Sequence, residues 1–142
     1  MELTSLFDIY KKAVFEKDVD AFMSIFDQHL RVFDMWERWS FDTVADWRGM
    51  TEDWFSSLNN ERVVVTFSDV QVQANDAIGT ASAFVRFAAI SEQDVELRSM
   101  QNRLTWVALK KGGSWKIIHQ HTSSPIDPGT MKAILQRQAA AS

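Results

Sequence analysis

Leu3, Leu6, Phe7, Tyr10 and Val14 recur at i, i+3, i+4, i+7 and i+11, the apolar stripe of an amphipathic helix. The acidic turn Asp18-Val19-Asp20 caps a second predicted helix, in which Val19, Phe22, Met23 and Phe26 repeat the spacing. HLRVFD (29–34) reads as a short strand, and residues 35–48 as an irregular, aromatic-rich segment. After Gly49, MTEDWFSSL predicts a third helix, with Glu52 and Asp53 in its first turn and Met50, Trp54 and Leu58 facing inward. The period then changes to two. Strands are predicted over 61–76, 77–90, 95–111 and 114–123, with Asn75-Asp76 and Gly112-Gly113 as turns. Pro125, Pro128 and Gly129 stop the last strand, and Thr130 caps a short terminal helix, MKAILQRQ, before a small-residue tail expected to fray. Helices followed by long antiparallel strands give an α+β domain, one unit over residues 1–142, with helices on one face of a sheet that must curl to enclose anything.

Composition sharpens this picture at two points. Six Trp and ten Phe accompany a single Tyr, and four of the Trp (Trp36, Trp39, Trp47 and Trp54) crowd into residues 36–54. Such a cluster builds either a large core or an aromatic-lined cavity for a small organic molecule. The chain has no cysteine, which excludes disulfides, thiolate metal sites and thiol nucleophiles. A net charge of −4 without a basic block argues against nucleic acid as a partner. The apolar run 81–90 is short and broken by Arg86, so no membrane span is expected, and the acidic N-terminus lacks a signal peptide's basic region. The expected compartment is the cytoplasm.

Chemistry concentrates in the closing strand SWKIIHQHTS. Strict alternation puts Trp115, Ile117, His119, His121 and Ser123 on one face, and Lys116, Ile118, Gln120 and Thr122 on the other. His119 and His121 suit a proton relay, an anion site or a structural hydrogen bond. As metal ligands they lack a third partner, and no metal or other cofactor is expected. Arg86 interrupts ASAFVRFAAI, so it needs an internal carboxylate, with Asp34 and Glu37 the nearest candidates, or a bound anion.

The helix, the turn KDVDAFMSIF, a strand and the hairpin RLTWVALKKGGSWKIIHQHTSSP together resemble the nuclear transport factor 2-like superfamily over about residues 2–127. That group includes ketosteroid isomerases, SnoaL-type polyketide cyclases and the calcium/calmodulin-dependent kinase II association domain. The resemblance implies a cone-shaped domain, three helices packed on a strongly curved sheet around a pocket, and usually a homodimer. From the isomerases it implies Asp34 as general base and Tyr10 as oxyanion donor, and the residue reading of the closing strand adds His121 as a candidate catalytic group. Asn102, Arg103, Leu104, Thr105 and Trp106 occupy the region where the isomerases carry a second, acidic donor, so none of them supplies that acid. The bottom-up alternatives are a turn or cap role for Asp34 and a core position for Tyr10. From the kinase domain the resemblance implies an arginine-lined pocket, matched at Arg86 and Arg103 but replaced by Thr122 at a third position. The combined expectation is a pocket binding an anionic, carboxylate-bearing organic molecule through Arg86, Arg103, His119, Trp36 and Trp47. Turnover by proton transfer and a non-catalytic binding or assembly module both remain open.

Overall fold

A computed structural model describes residues 2–138 of the chain. The expected small-residue tail at 139–142 lies outside the described residues. Three helices precede or interrupt a five-stranded sheet: α1 (Ser5–Glu16), α2 (Val19–Met23), β1 (Phe26–Phe33), α3 (Val44–Ser57), β2 (Arg62–Ala74), β3 (Ile78–Ile90), β4 (Glu96–Lys111) and β5 (Ser114–Ser123). The sheet order is β1-β5-β4-β3-β2, antiparallel except where β1 runs parallel to β5. The α+β expectation holds. No described helix is long and apolar enough to cross a membrane.

α1 forms on its predicted stripe and α2 starts at its predicted cap, but α2 ends at Met23, and Phe26, expected in its stripe, instead opens β1. Asp18 accepts from the Ala21 amide at 3.0 Å to start α2. Lys17 ends α1 in the left-handed region, and its Nζ donates to the carbonyls of Asn59 and Glu61. α3 begins six residues before the predicted start at Met50. Thr43 caps it by accepting from the Asp46 amide at 3.1 Å, and Gly49 sits inside the helix rather than ahead of it. An exposed glycine weakens a helix by about 1 kcal/mol without ending it, so it is a poor boundary mark.

The core lies between the helices and the inner sheet face. Leu6, Tyr10, Val14, Phe22, Trp106 and Ile117 are all buried there. Phe7 stacks on Trp106 with ring centres 4.5 Å apart. Register shifts interrupt every strand pairing, including one in β2 between Ser68 and Gln71, where Asp69 takes a positive φ of 52°. Bulges of this kind bend the strands toward the helices.

The terminal helix predicted over 131–138 does not form. β4 runs on past the end of β5, which leaves the Gln101 amide in need of an acceptor. The C-terminal segment supplies one, the Leu135 carbonyl at 2.7 Å, and folds back on itself through a bridge between Ile126 and Ala133. Arg137 lies over the Phe84 ring at 3.9 Å.

Candidate functional site

Between α3 and the inner face of the sheet is a cavity of about 810 Å³. One wall comes from α3, where Trp47, Met50, Trp54 and Leu58 follow helical spacing. Phe87 and Ala89 of β3 and Met100 of β4 form the facing wall. Tyr10 of α1 and Asp34, just past β1, supply the titratable groups at its base. The volume and the mainly apolar lining suit a small organic molecule.

Asp34 is positioned by β5. Thr122 Oγ1–H donates to Asp34 Oδ1 at 3.1 Å, while the Met35 amide donates to Thr122 Oγ1 at 3.1 Å. Burial outweighs these contacts and the Met35 and Trp36 amides, and it holds the Asp34 carboxyl above the ordinary aspartate range. Tyr10 is only 4% exposed. Burial and then the nearby charge of Asp34 push its phenol well above its usual range, so it stays protonated as a donor. The arrangement is a carboxylate of increased basicity beside a permanently neutral phenol.

Formal charge around the cavity is mainly acidic. Asp34, Glu37, Asp46 and Asp53 line it, against Arg38 and Arg98. Both arginines are already matched, Arg38 to Asp46 at 3.5 Å and Arg98 to Glu61 at 2.6 Å. Among the described residues, two side-chain atoms are sealed in without a hydrogen-bond partner, Trp47 Nε1 and Asn102 Oδ1, and both residues line this cavity.

The residues singled out in the sequence divide between two faces. Asp34, Tyr10, Trp47 and Trp36 line the cavity, Trp47 buried and Trp36 half-exposed at the mouth. Arg86, Arg103, His119 and His121 do not join them. The pairing of β4 with β5 passes from Val107–His119 to Ala108–Ile117, leaving Ile118 as an extra residue. This bulge breaks the alternation, so Trp115 and Ile117 point into the core while Gln120 and Thr122, not the histidines, continue the inner face. His119 Nδ1 sits 2.8 Å from the Arg31 carbonyl on the outer side. His121 lines a second recess that shares Asp34 and Thr122 with the main cavity. Arg103 Nε donates to Ser123 Oγ at 3.2 Å. Arg86, on the opposite face from Val85 and Phe87, pairs with Glu96 at 2.9 Å rather than with Asp34 or Glu37. The four residues therefore do not form a positive patch inside the cavity, and Arg86 is neither buried nor paired with Asp34 or Glu37, its partner being Glu96 in a half-exposed surface pair.

Sequence reasoning gave Thr122 no positive role and passed over Gln120. Both sit on the face that alternation assigned away from the site. Only the bulge at Ile118 brings them in, and nothing in KIIHQHTS marks it.

Three helices on a bulged five-stranded sheet around an apolar cavity define the nuclear transport factor 2-like class, and solved structures share this fold. A protein of unknown function from Pseudomonas putida KT2440 is 21% identical with a TM-score of 0.84, covering 96% of this chain and 94% of that one. A protein from Xanthomonas campestris, provisionally described as a calcium/calmodulin-dependent protein kinase II association domain, gives 15% identity and 0.71, covering 84% and 83%. Aln2 from a Streptomyces species gives 11% and 0.74, covering 85% and 86%. Residues 3–127 match the SnoaL-like domain, and the chain belongs to that family. Among curated proteins, none matches the sequence significantly.

Proposed function

We propose that this domain binds a neutral, mainly apolar ring ketone in its cavity and moves a proton on it, with Asp34 as the base. The observation that carries this reading is the half-buried Asp34 carboxyl, raised in basicity by desolvation and held by Thr122 in the wall of an aromatic cavity. The Asp34 carboxylate takes a proton from the carbon next to the carbonyl. The C–H electron pair forms the enol double bond, the carbonyl π pair moves to oxygen, and Tyr10 stands near as a donor to that oxygen. The proton then returns to carbon from Asp34, so no outside reactant is needed. The acidic lining and the internally paired Arg38 and Arg98 favour a neutral ligand over a carboxylate. The test is to incubate the protein with 2-tetralone, whose α-protons are acidic, in deuterated buffer. Protein-dependent deuterium uptake is expected. Binding without uptake would leave a binding module, and tighter binding of 2-naphthoate than of 2-tetralone would restore the anionic ligand.

A second reading is a non-catalytic assembly module, supported by the outer sheet face. There the exposed Val64 lies on the same side as Arg103, His119 and His121, while the chain's own Arg137 covers Phe84. A homodimer formed through these faces is compatible with both readings.

A further inference from the structure

Gln120 is 2% exposed, lies on the inner face of β5, and lines the cavity two residues before Thr122. Its Cα neighbours are Val32 of β1 and Trp106 of β4, both fully buried, so the side chain has no freedom to swing outward. Trp106 Nε1–H donates to Gln120 Oε1 at 2.9 Å. An indole nitrogen only donates, so this contact fixes which end of the amide faces the core. The other end, Nε2 with its two N–H groups, has no hydrogen-bond partner among the described residues. It is also not one of the two sealed, partnerless atoms, which are Trp47 Nε1 and Asn102 Oδ1. A buried amide donor with neither a partner nor a seal opens onto the cavity that Gln120 lines.

We propose that Gln120 Nε2 is the donor that grips the ligand's carbonyl oxygen, which makes the substrate class one defined by a ketone oxygen rather than by a charge. The donor is preorganised. Trp106 is buried completely and stacks on Phe7, and Gln120 and Tyr10 both line the cavity. Thr122, the next inward residue of β5, holds Asp34. Strand geometry therefore sets Gln120 and Thr122, the residue that holds the base, about 7 Å apart along one strand face. The neighbouring amide of Asn102 does not compete as a donor, since it donates to Met35 Sδ and its oxygen is sealed. The proposal rests on the proton-transfer reading for its chemistry, but its binding consequence stands separately.

The experiment compares 2-tetralone with tetralin, which lacks the oxygen, by titration calorimetry on the whole chain. One neutral hydrogen bond to a preformed donor gives the wild type about a tenfold preference for the ketone. In Gln120→Met, whose thioether still offers Trp106 a weak acceptor, the preference is expected to fall to within about twofold. A second measurement needs no folded variant. The Gln120 side-chain NH2 pair in a 15N–1H spectrum moves on addition of 2-tetralone and stays in place with tetralin. No ketone preference in the wild type, an unchanged preference in Gln120→Met, or an unmoved NH2 pair each overturns the assignment. A ketone preference that depends on Gln120, without any deuterium uptake, would instead remove Asp34 as base and leave Gln120 in place.

Discussion

Asp34 is where residue-scale stability and function pull in opposite directions. Burial holds its carboxyl above the ordinary value of 3.8, so the folded protein keeps a proton that the unfolded chain has already released. Stability attached to that proton is complete below the ordinary value and is lost as pH rises through the folded one. Asp34→Asn removes the titration with almost no change of shape. The difference in Tm, mutant minus wild type, is expected to grow by a few degrees between about pH 4 and about pH 7. Differential scanning calorimetry across that range checks it, and a difference that is flat or shrinks with pH contradicts the buried, charge-penalised carboxylate. Asp27 behaves oppositely. Its burial penalty is outweighed by Lys111 Nζ at 2.7 Å and by the His29 amide, leaving its carboxyl below the ordinary range. Lys111→Met strands that charge, and because Lys111 is half-exposed the cost is about 1–2 kcal/mol at neutral pH. Urea titration at neutral and acidic pH reads the loss, which shrinks as Asp27 becomes protonated.

Two glycines separate an element's interior from its contacts. A Cβ at Gly49 in α3 meets nothing within 4 Å, so Gly49→Ala is expected to stabilise by about 0.5–1 kcal/mol. At Gly79 a Cβ falls 2.9 Å from the Ala74 Cβ and 2.6 Å from Leu3 Cδ1. Gly79→Ala is therefore expected to destabilise by about 1–3 kcal/mol, because the cross-strand neighbour cannot yield. Chemical denaturation of the pair checks both signs. The same contrast explains what the sequence made legible. Helical and strand periods located α1, the start of α2 and the strands β2 to β5 closely, since each depends on a local apolar pattern, whereas Phe26 fitted the α2 stripe and belongs to β1. The start of α3 stayed hidden because Gly49 looks like a breaker from sequence, and Thr43 as a cap is marked only by Asp46 three residues on. The inward face of β5 stayed hidden because a single bulged residue, Ile118, reverses it. Asp34, Tyr10, Trp36 and Trp47 were readable through family resemblance and aromatic crowding. Gln120 and Thr122 depend on long-range strand pairing that no local pattern encodes.

At the scale of the whole molecule, the sheet separates two surfaces of different character. The inner one is aromatic, buried and acidic at its mouth. The outer one carries Arg86 with Glu96, Arg103, His119 and His121, with Val64 and Phe84 among them. Most apolar residues of β2 and β3 are used within the chain, since Val63, Val65 and Val85 are buried in the core and Arg137 covers Phe84. The proposed dimer interface is accordingly polar, and joining two such faces brings His119, His121 and Arg103 of both copies together. Sedimentation equilibrium is expected to show a dimer whose affinity depends on salt, because the joined faces carry charged and polar groups. A monomer at tens of micromolar near pH 7 contradicts the dimer.

The central claim is that Asp34 moves a proton on a ketone bound in the cavity, and the most direct measurement is the rate of α-deuterium uptake by bound 2-tetralone in Asp34→Asn against the wild type. Titration calorimetry confirms equal occupancy in both. The expected result is a fall of about a hundredfold or more at unchanged affinity, with the wild-type rate rising with pH as Asp34 loses its proton. Equal uptake by the two proteins at equal occupancy would contradict it.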